Sequence, residues 1–222
     1  MAKQTDINEK MRSILVDWLV DVHLKFKLVV ETLFLAVNMI DRYLERAEVS
    51  RQKLQLVGIT AMFIASKYEE IYPPDLRDFV YVTDKAYTKQ QILAMEGKIL
   101  KALNFNVTVT SSFLFLQRFA KLLSMNEKAY MMARYLLELA LVEYSFLKYT
   151  PSNIAASAAY LAAKIFKMKT TWNALAQKCS QYTEQDIRSC AKKLCELITK
   201  GKTSSLDAVK RKFSDKNFYE VG

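Results

Sequence analysis

The 222-residue chain has little that breaks a helix: 4 Gly and 3 Pro in all. So few punctuating residues exclude a many-turned β architecture and favour long helices. Its three cysteines, Cys179, Cys190 and Cys195, lie in the last fifth and show no Cys-x-x-Cys spacing. Neither a zinc site nor a disulfide framework is indicated, so no metal is expected, and reduced thiols fit a cytosolic or nuclear protein. The chain holds one histidine, His23, and no nucleophile–base pair. Four scattered glycines make no phosphate-cradling loop, so an enzyme is not expected, nor a cofactor. There is no run of eighteen apolar residues and no signal peptide, so no membrane is expected as a partner.

What is present is a core's worth of apolar residues, 51% of the chain. The length suggests one large domain or two small ones. The net charge is +10 and the isoelectric point about 9.4. The charges are spread, mostly as lysines on the polar faces of helices. The densest group is the tail, with Lys200, Lys202, Lys210, Arg211 and Lys212. It reads as solvated surface rather than a nucleic-acid site.

An internal repeat organises the chain. AYTKQQI at 86–92 returns as QYTEQDI at 181–187, an offset of 95, and IASKY at 64–68 is echoed by LAAKI at 161–165, an offset of 97. The repeated Tyr-Thr is a helix start. Thr88 caps its helix and Gln91 closes a capping box; Thr183 and Asp186 repeat it. Each half reads as five helices, near 8–26, 31–46, 51–69, 75–82 and 88–104, then near 110–124, 127–145, 151–167, 171–180 and 183–200. The third helix of each half is apolar or small on nearly every side and is expected to be central and buried. The fold class is therefore all-α.

MRSILVDWLVDVH, residues 11–23, is apolar on several sides, with Ser13, Asp17 and Asp21 as one narrow polar stripe. Met11, Ile14, Leu15, Trp18 and Val22 form a wide arc, and Val16 and Val20 another. Arg12 falls among apolar positions. A buried arginine is tolerated when a carboxylate takes its planar fork. Asp41, at the edge of an apolar face on the second helix, is the candidate, giving a structural ion pair Arg12–Asp41. Glu96 also lies on an apolar face, where a carboxylate needs a partner. Its counterpart in the second half is Ala191. Gly97 follows, and mid-helix glycine costs about 1 kcal/mol relative to alanine. Two readings stay open: an internal ion pair, or the close approach of another chain. Lys67, at the end of the third helix, serves the helix dipole in the simplest reading, and Lys164 recurs in the second half.

MRSILVDWLVDVH, ETLFLAVNMIDRYL, LQLVGITAMFIASKYEEIYPPDLRDFVYVTD and FLKYTPSNIAASAAYLA together resemble the mitotic A/B-type cyclins, the B-type more closely. The resemblance covers nearly the whole chain. It implies two tandem cyclin boxes of five helices, at 1–107 and 108–200, with a C-terminal tail at 201–222. It implies a non-catalytic regulatory subunit of a cyclin-dependent protein kinase in mitotic cell division, present in nucleus and cytoplasm and monomeric without the kinase. Carried over by position, Lys67 and Glu96 match the pair that holds the kinase's mobile helix, and Tyr68, Leu100, Phe105 and Val107 match apolar positions of that face. The substrate-docking patch for Arg-x-Leu type motifs maps onto Met11, Ile14, Leu15, Trp18, Arg51, Leu54 and Gln55. Asp21 joins that patch where A-type members have Glu. About ten residues precede Met11, so the family's long leader with its destruction signal falls outside this sequence.

The rival is a nucleic-acid-binding protein of the same tandem repeat, using the net charge on phosphates. It needs a continuous basic face. Lys67 and Glu96 instead form a mixed pair, so no specific nucleic acid is expected.

Overall fold

A computed structural model describes residues 3–169, 172–200 and 205–222. They are helical, with no strand among them. The first unit, Met1–Val109, holds α1 (Glu9–Phe26), α2 (Val30–Arg46), α3 (Arg51–Glu69), α4 (Leu76–Val82) and α5 (Lys89–Ala102). The second, Thr110–Gly222, holds α6 (Ser112–Leu122), α7 (Glu127–Val142), α8 (Pro151–Ile165), α9 (Ala174–Ser180), α10 (Glu184–Lys200) and α11 (Ala208–Phe213).

α3 is central in the first unit, against α1, α2, α4 and α5. Eleven consecutive residues, Leu56 to Ser66, are buried, which requires neighbours on every side. Gly58 marks a close approach. A Cβ there would meet Leu15 Cδ1 at 2.6 Å, so α1 leans its Leu15 directly onto the α3 backbone. α8 is the counterpart in the second unit, with α6, α7 and α10 around it. Its buried residues are small (Ala155, Ala156, Ser157, Ala158, Ala159, Ala162 and Ala163), so its neighbours approach its backbone closely.

The expected caps form. Thr88 accepts from the Gln91 N–H at 3.3 Å, and Gln91 Oε1 accepts from the Thr88 N–H at 2.8 Å. Asp186 and Thr183 repeat the exchange at 2.7 and 3.3 Å. α7 stops at Val142, earlier than its pattern predicts. Glu143 leaves the helix and accepts from the Ser145 N–H at 3.3 Å, starting a short 3-10 turn over Tyr144–Phe146. A side chain competing for backbone donors ends the helix there.

The C-terminal residues depart most from the sequence reading. α11 was not expected, and residues 205–222 belong to the second unit, with α11 packed on α7. Lys212 is not solvated. It is 4% exposed and donates to both oxygens of Glu138, itself 1% exposed, at 2.8 Å each. Burial holds the Lys212 ammonium below the usual lysine range, opposed by Glu138. Arg134 lies 4.0 Å from the same carboxylate. Arg211 pairs with Asp207 at 3.0 Å on the surface. Lys202 and the side chain of Lys200 lie outside the described residues.

Candidate functional site

The structure assembles the candidate residues into a mixed-charge apolar face and a groove, both on the first unit. The face is built by the end of α3, by α5 and by the turn after it. Lys67 donates to Glu96, across from α3 to α5. Lys67 also lies 4.2 Å from the Phe63 ring centroid. The Glu96 side chain is 15% exposed and that of Lys67 42%, so the pair is internal yet open on one side. The two sequence readings of Glu96 are therefore compatible: it has an intramolecular partner and faces outward.

The surroundings of the pair are unusual for solvent. Leu93, one turn before Glu96, is exposed, as are Tyr68 and Phe105, while Leu100 and Val107 are half-buried. A Cβ on Gly97 would meet nothing within 4 Å, so open space lies over the helix at that point. The Tyr68 hydroxyl is bonded to Thr108 Oγ1 at 2.6 Å, which ties α3 to the chain beyond α5. Asn104 and Phe105 both take left-handed backbone, φ 52° and 56°. Such a conformation costs of order 1 kcal/mol in a non-glycine residue. It lets the Phe105 N–H close the α5 end on the Leu100 carbonyl at 2.9 Å and turns the aromatic ring outward. Arg42 holds this turn through the Asn106 carbonyl at 2.8 Å.

Sequence reasoning passed over two exposed apolar residues just beyond α3. Ile71 is 87% and Tyr72 91% exposed, immediately after α3 and before Pro73. Glu70 fixes their starting point by accepting from the Val29 N–H at 2.8 Å and the Thr32 hydroxyl at 2.6 Å. The available signal was two large apolar side chains beside a Pro-Pro stop, where no helical period calls for them.

The groove lies between α1 and the start of α3. It has a volume of about 410 Å³ and is lined by Met11, Ile14, Leu15, Trp18, Arg51, Leu54 and Gln55. Seven of the eight sequence-predicted patch residues thus come together. Asp21 is half-buried one turn beyond Trp18 and is not among the lining residues. The apolar arc of α1 divides between two uses. Leu15 and Val22 are buried, Met11 and Trp18 are half-buried, and Ile14 is exposed. Leu15 therefore forms both the groove floor and core against Gly58.

Arg12 sits behind this surface. It is fully buried, and Asp41 accepts from its Nε at 2.6 Å and its Nη2 at 2.7 Å. This two-pronged pair joins α1 to α2 and holds α1 in the position that presents the groove.

Comparison with known proteins places this architecture. Residues 1–108 match the cyclin N-terminal domain and residues 110–222 the cyclin C-terminal domain. The chain is 46% identical to the G2/mitotic-specific cyclin-B of Marthasterias glacialis over 97% of its own length and 56% of the relative's. It is 44% identical to Cyclin-B2-1 of Arabidopsis thaliana, over 98% of itself and 51% of the relative. The chain thus spans about half the length of these relatives. A viral cyclin from herpesvirus saimiri has the same fold, with a TM-score of 0.77 at 21% identity over 87% of this chain and 88% of that one. A chain of the yeast RNA Pol II CTD kinase CTDK-1 complex is similar with a TM-score of 0.74 at 14% identity, over 97% of this chain and 78% of that one. With both domains matched end to end and B-type relatives at such identity, the chain belongs to the cyclin family.

Proposed function

We propose that this chain is a regulatory subunit that binds and activates a cyclin-dependent protein kinase in mitotic cell-cycle control, without catalysis of its own. The observation that carries the reading is the Lys67–Glu96 face. A partly open ion pair there shares α3, α5 and the turn after α5 with exposed Tyr68, Leu93 and Phe105, and Ile71 and Tyr72 are almost fully exposed nearby in sequence. Exposed apolar groups on this scale mark a protein interface. The mixed charge favours a protein partner over nucleic acid, which needs a continuous basic face. Activation follows from differential affinity: the face grips the active placement of the kinase's regulatory helix better than the inactive one and shifts the population. The groove at Met11, Ile14, Trp18 and Leu54 is a second site, recruiting substrates or inhibitors with Arg-x-Leu type motifs. The chain acts in nucleus and cytoplasm and is monomeric until it meets the kinase.

One kinase assay with two substrates tests both parts. Lys67→Ala with Glu96→Ala is expected to weaken kinase binding by ~2 kcal/mol, the scale for a desolvated charge partner, and to reduce activity on both substrates. Met11→Ala with Trp18→Ala is expected to reduce phosphorylation only of the substrate carrying the motif. Full activation by the first double variant at wild-type concentration refutes the kinase face. Equal loss on both substrates by the second, folded by circular dichroism, refutes the docking groove.

A further inference from the structure

Ahead of α1 the chain runs along the connection between α2 and α3, and it is tied there side chain by side chain. Gln4 Nε2 donates to the Leu44 and Ala47 carbonyls at 2.7 Å each, and its Oε1 accepts from the Val49 N–H at 3.0 Å. Thr5 donates to Glu48, and Ile7 is buried. This anchoring delivers Asp6 to the start of α3. Ser50, at the N-cap of α3, makes no side-chain cap bond. Asp6, 45 residues earlier, takes that place: its Oδ2 accepts from the Arg51 N–H at 2.8 Å and its Oδ1 from Arg51 Nε at 2.8 Å.

Arg51 alone is charged among the described residues that line the groove. A free guanidinium at that rim would repel a cationic ligand. Bound to Asp6, its charge is balanced and its head is tied to the segment ahead of α1. We propose that Asp6 is a positioning and specificity-determining residue of the groove: by fixing Arg51 and balancing its charge, it admits a peptide that pairs a basic residue with a leucine. The inference rests on the docking reading of the groove and names the feature that sets its charge preference. The bonds from Arg51, the backbone N–H first, hold the Asp6 carboxyl below the usual carboxylate range, so it is ionised at neutral pH. The Arg51 side chain is 67% and that of Asp6 38% exposed, and a surface pair of this kind adds little to folding. Its effect is therefore expected in which ligand binds, not in stability.

The test uses the full chain and two short fluorescent peptides, identical except for Arg-x-Leu in one and Gln-x-Leu in the other. Binding is read by anisotropy for wild type, Asp6→Asn, Asp6→Glu and Trp18→Ala. Asp6→Asn is expected to lose about threefold in affinity for the Arg peptide at low salt, and the loss should fade near ~1 M salt as screening closes in. Its affinity for the Gln peptide should hold, and Asp6→Glu should recover most of the loss on the Arg peptide. No change on either peptide, or equal losses on both with an unaltered melting temperature, overturns the role of Asp6 and leaves the docking groove standing. Failure of both peptides to bind wild type, or binding that survives Trp18→Ala, overturns the docking reading and this proposal with it.

Discussion

α5 and α10 share a register 95 residues apart, and their differences fall on one side. The inward positions keep their character. Ile92 and Ile187 are both fully buried, as are Ile99 and Leu194, while Met95 is matched by Cys190. The outward positions do not. Leu93, Glu96, Gly97 and Leu100 of α5 become Arg188, Ala191, Lys192 and Cys195 of α10. Arg188, Lys192 and Cys195 are exposed and Ala191 is buried. The second copy has the basic outer face of an ordinary surface helix. The first keeps a leucine exposed, a glycine over open space and an ion pair half open to solvent. Packing accounts for what the two helices share; what α5 alone retains is what the proposed kinase face would use.

The ion pairs show the same contrast. In the first unit Lys67–Glu96 is open on the lysine side, whereas in the second Lys212–Glu138 is sealed between α11 and α7. The largest effect is expected here. Glu138→Ala leaves the buried Lys212 ammonium uncompensated and should cost about 3–5 kcal/mol in denaturant unfolding of the second unit. Arg12→Ala, which strands the mostly buried Asp41, should cost a similar amount in the first. Glu96→Ala should cost about 1 kcal/mol or less by the same measurement, because the Lys67 it leaves behind is 42% exposed and stays hydrated. If Glu96→Ala destabilises as much as Glu138→Ala, the distinction between an open functional pair and a closed structural one collapses.

A more selective change rewrites α5 in the image of α10. Leu93→Arg with Gly97→Lys touches no buried position, and Gly97 has room for a side chain. Thermal stability should hold within ~0.5 kcal/mol or rise slightly, since a mid-helix glycine is removed. Kinase binding, read by calorimetric titration, should fall by about tenfold or more, as expected when unmatched charge enters an interface. A variant that binds normally would place the partner elsewhere on the unit.

The smallest perturbation is chemical. Burial pushes the Cys190 thiol up to about 11, whereas Cys195 is exposed. The thiolate is the reactive form. Iodoacetamide at pH 8 should therefore modify Cys195 and spare Cys190 in the folded chain, with Cys190 gaining reactivity only as pH approaches 11. Mass spectrometry of the labelled peptides reads the result. Early labelling of Cys190 would mean that α10 does not seat its inner face as α5 does.

Legibility in the sequence followed the range of each interaction. The capping boxes at Thr88 and Thr183 were readable because they join residues three apart. The Arg12–Asp41 pair was readable because both charges interrupt apolar faces, leaving each in need of the other. Lys212 was misread as solvated because its partner, Glu138, lies 74 residues away and Lys212 sits in a run of basic residues. Ile71 and Tyr72 were passed over because a loop before Pro73-Pro74 has no period against which to judge exposure. The arc on α1 could not be divided by helical projection, which does not say where a neighbour ends. Leu15 is core because Gly58 lets it press onto α3, and Ile14, one residue away, is left outside.

Resemblance to a known family assigned the residues of two sites; the sequence by itself determined two all-helical repeats, their buried third helices and their caps. Those follow from apolar periodicity and short-range hydrogen bonding, which act along the chain. Only the tertiary structure decided which apolar groups stay exposed, that Asp6 rather than Ser50 meets the start of α3, and that Lys212 is buried against Glu138. Burial and charge pairing of that kind are properties of surfaces brought together across many residues, and they have no value until the helices have packed.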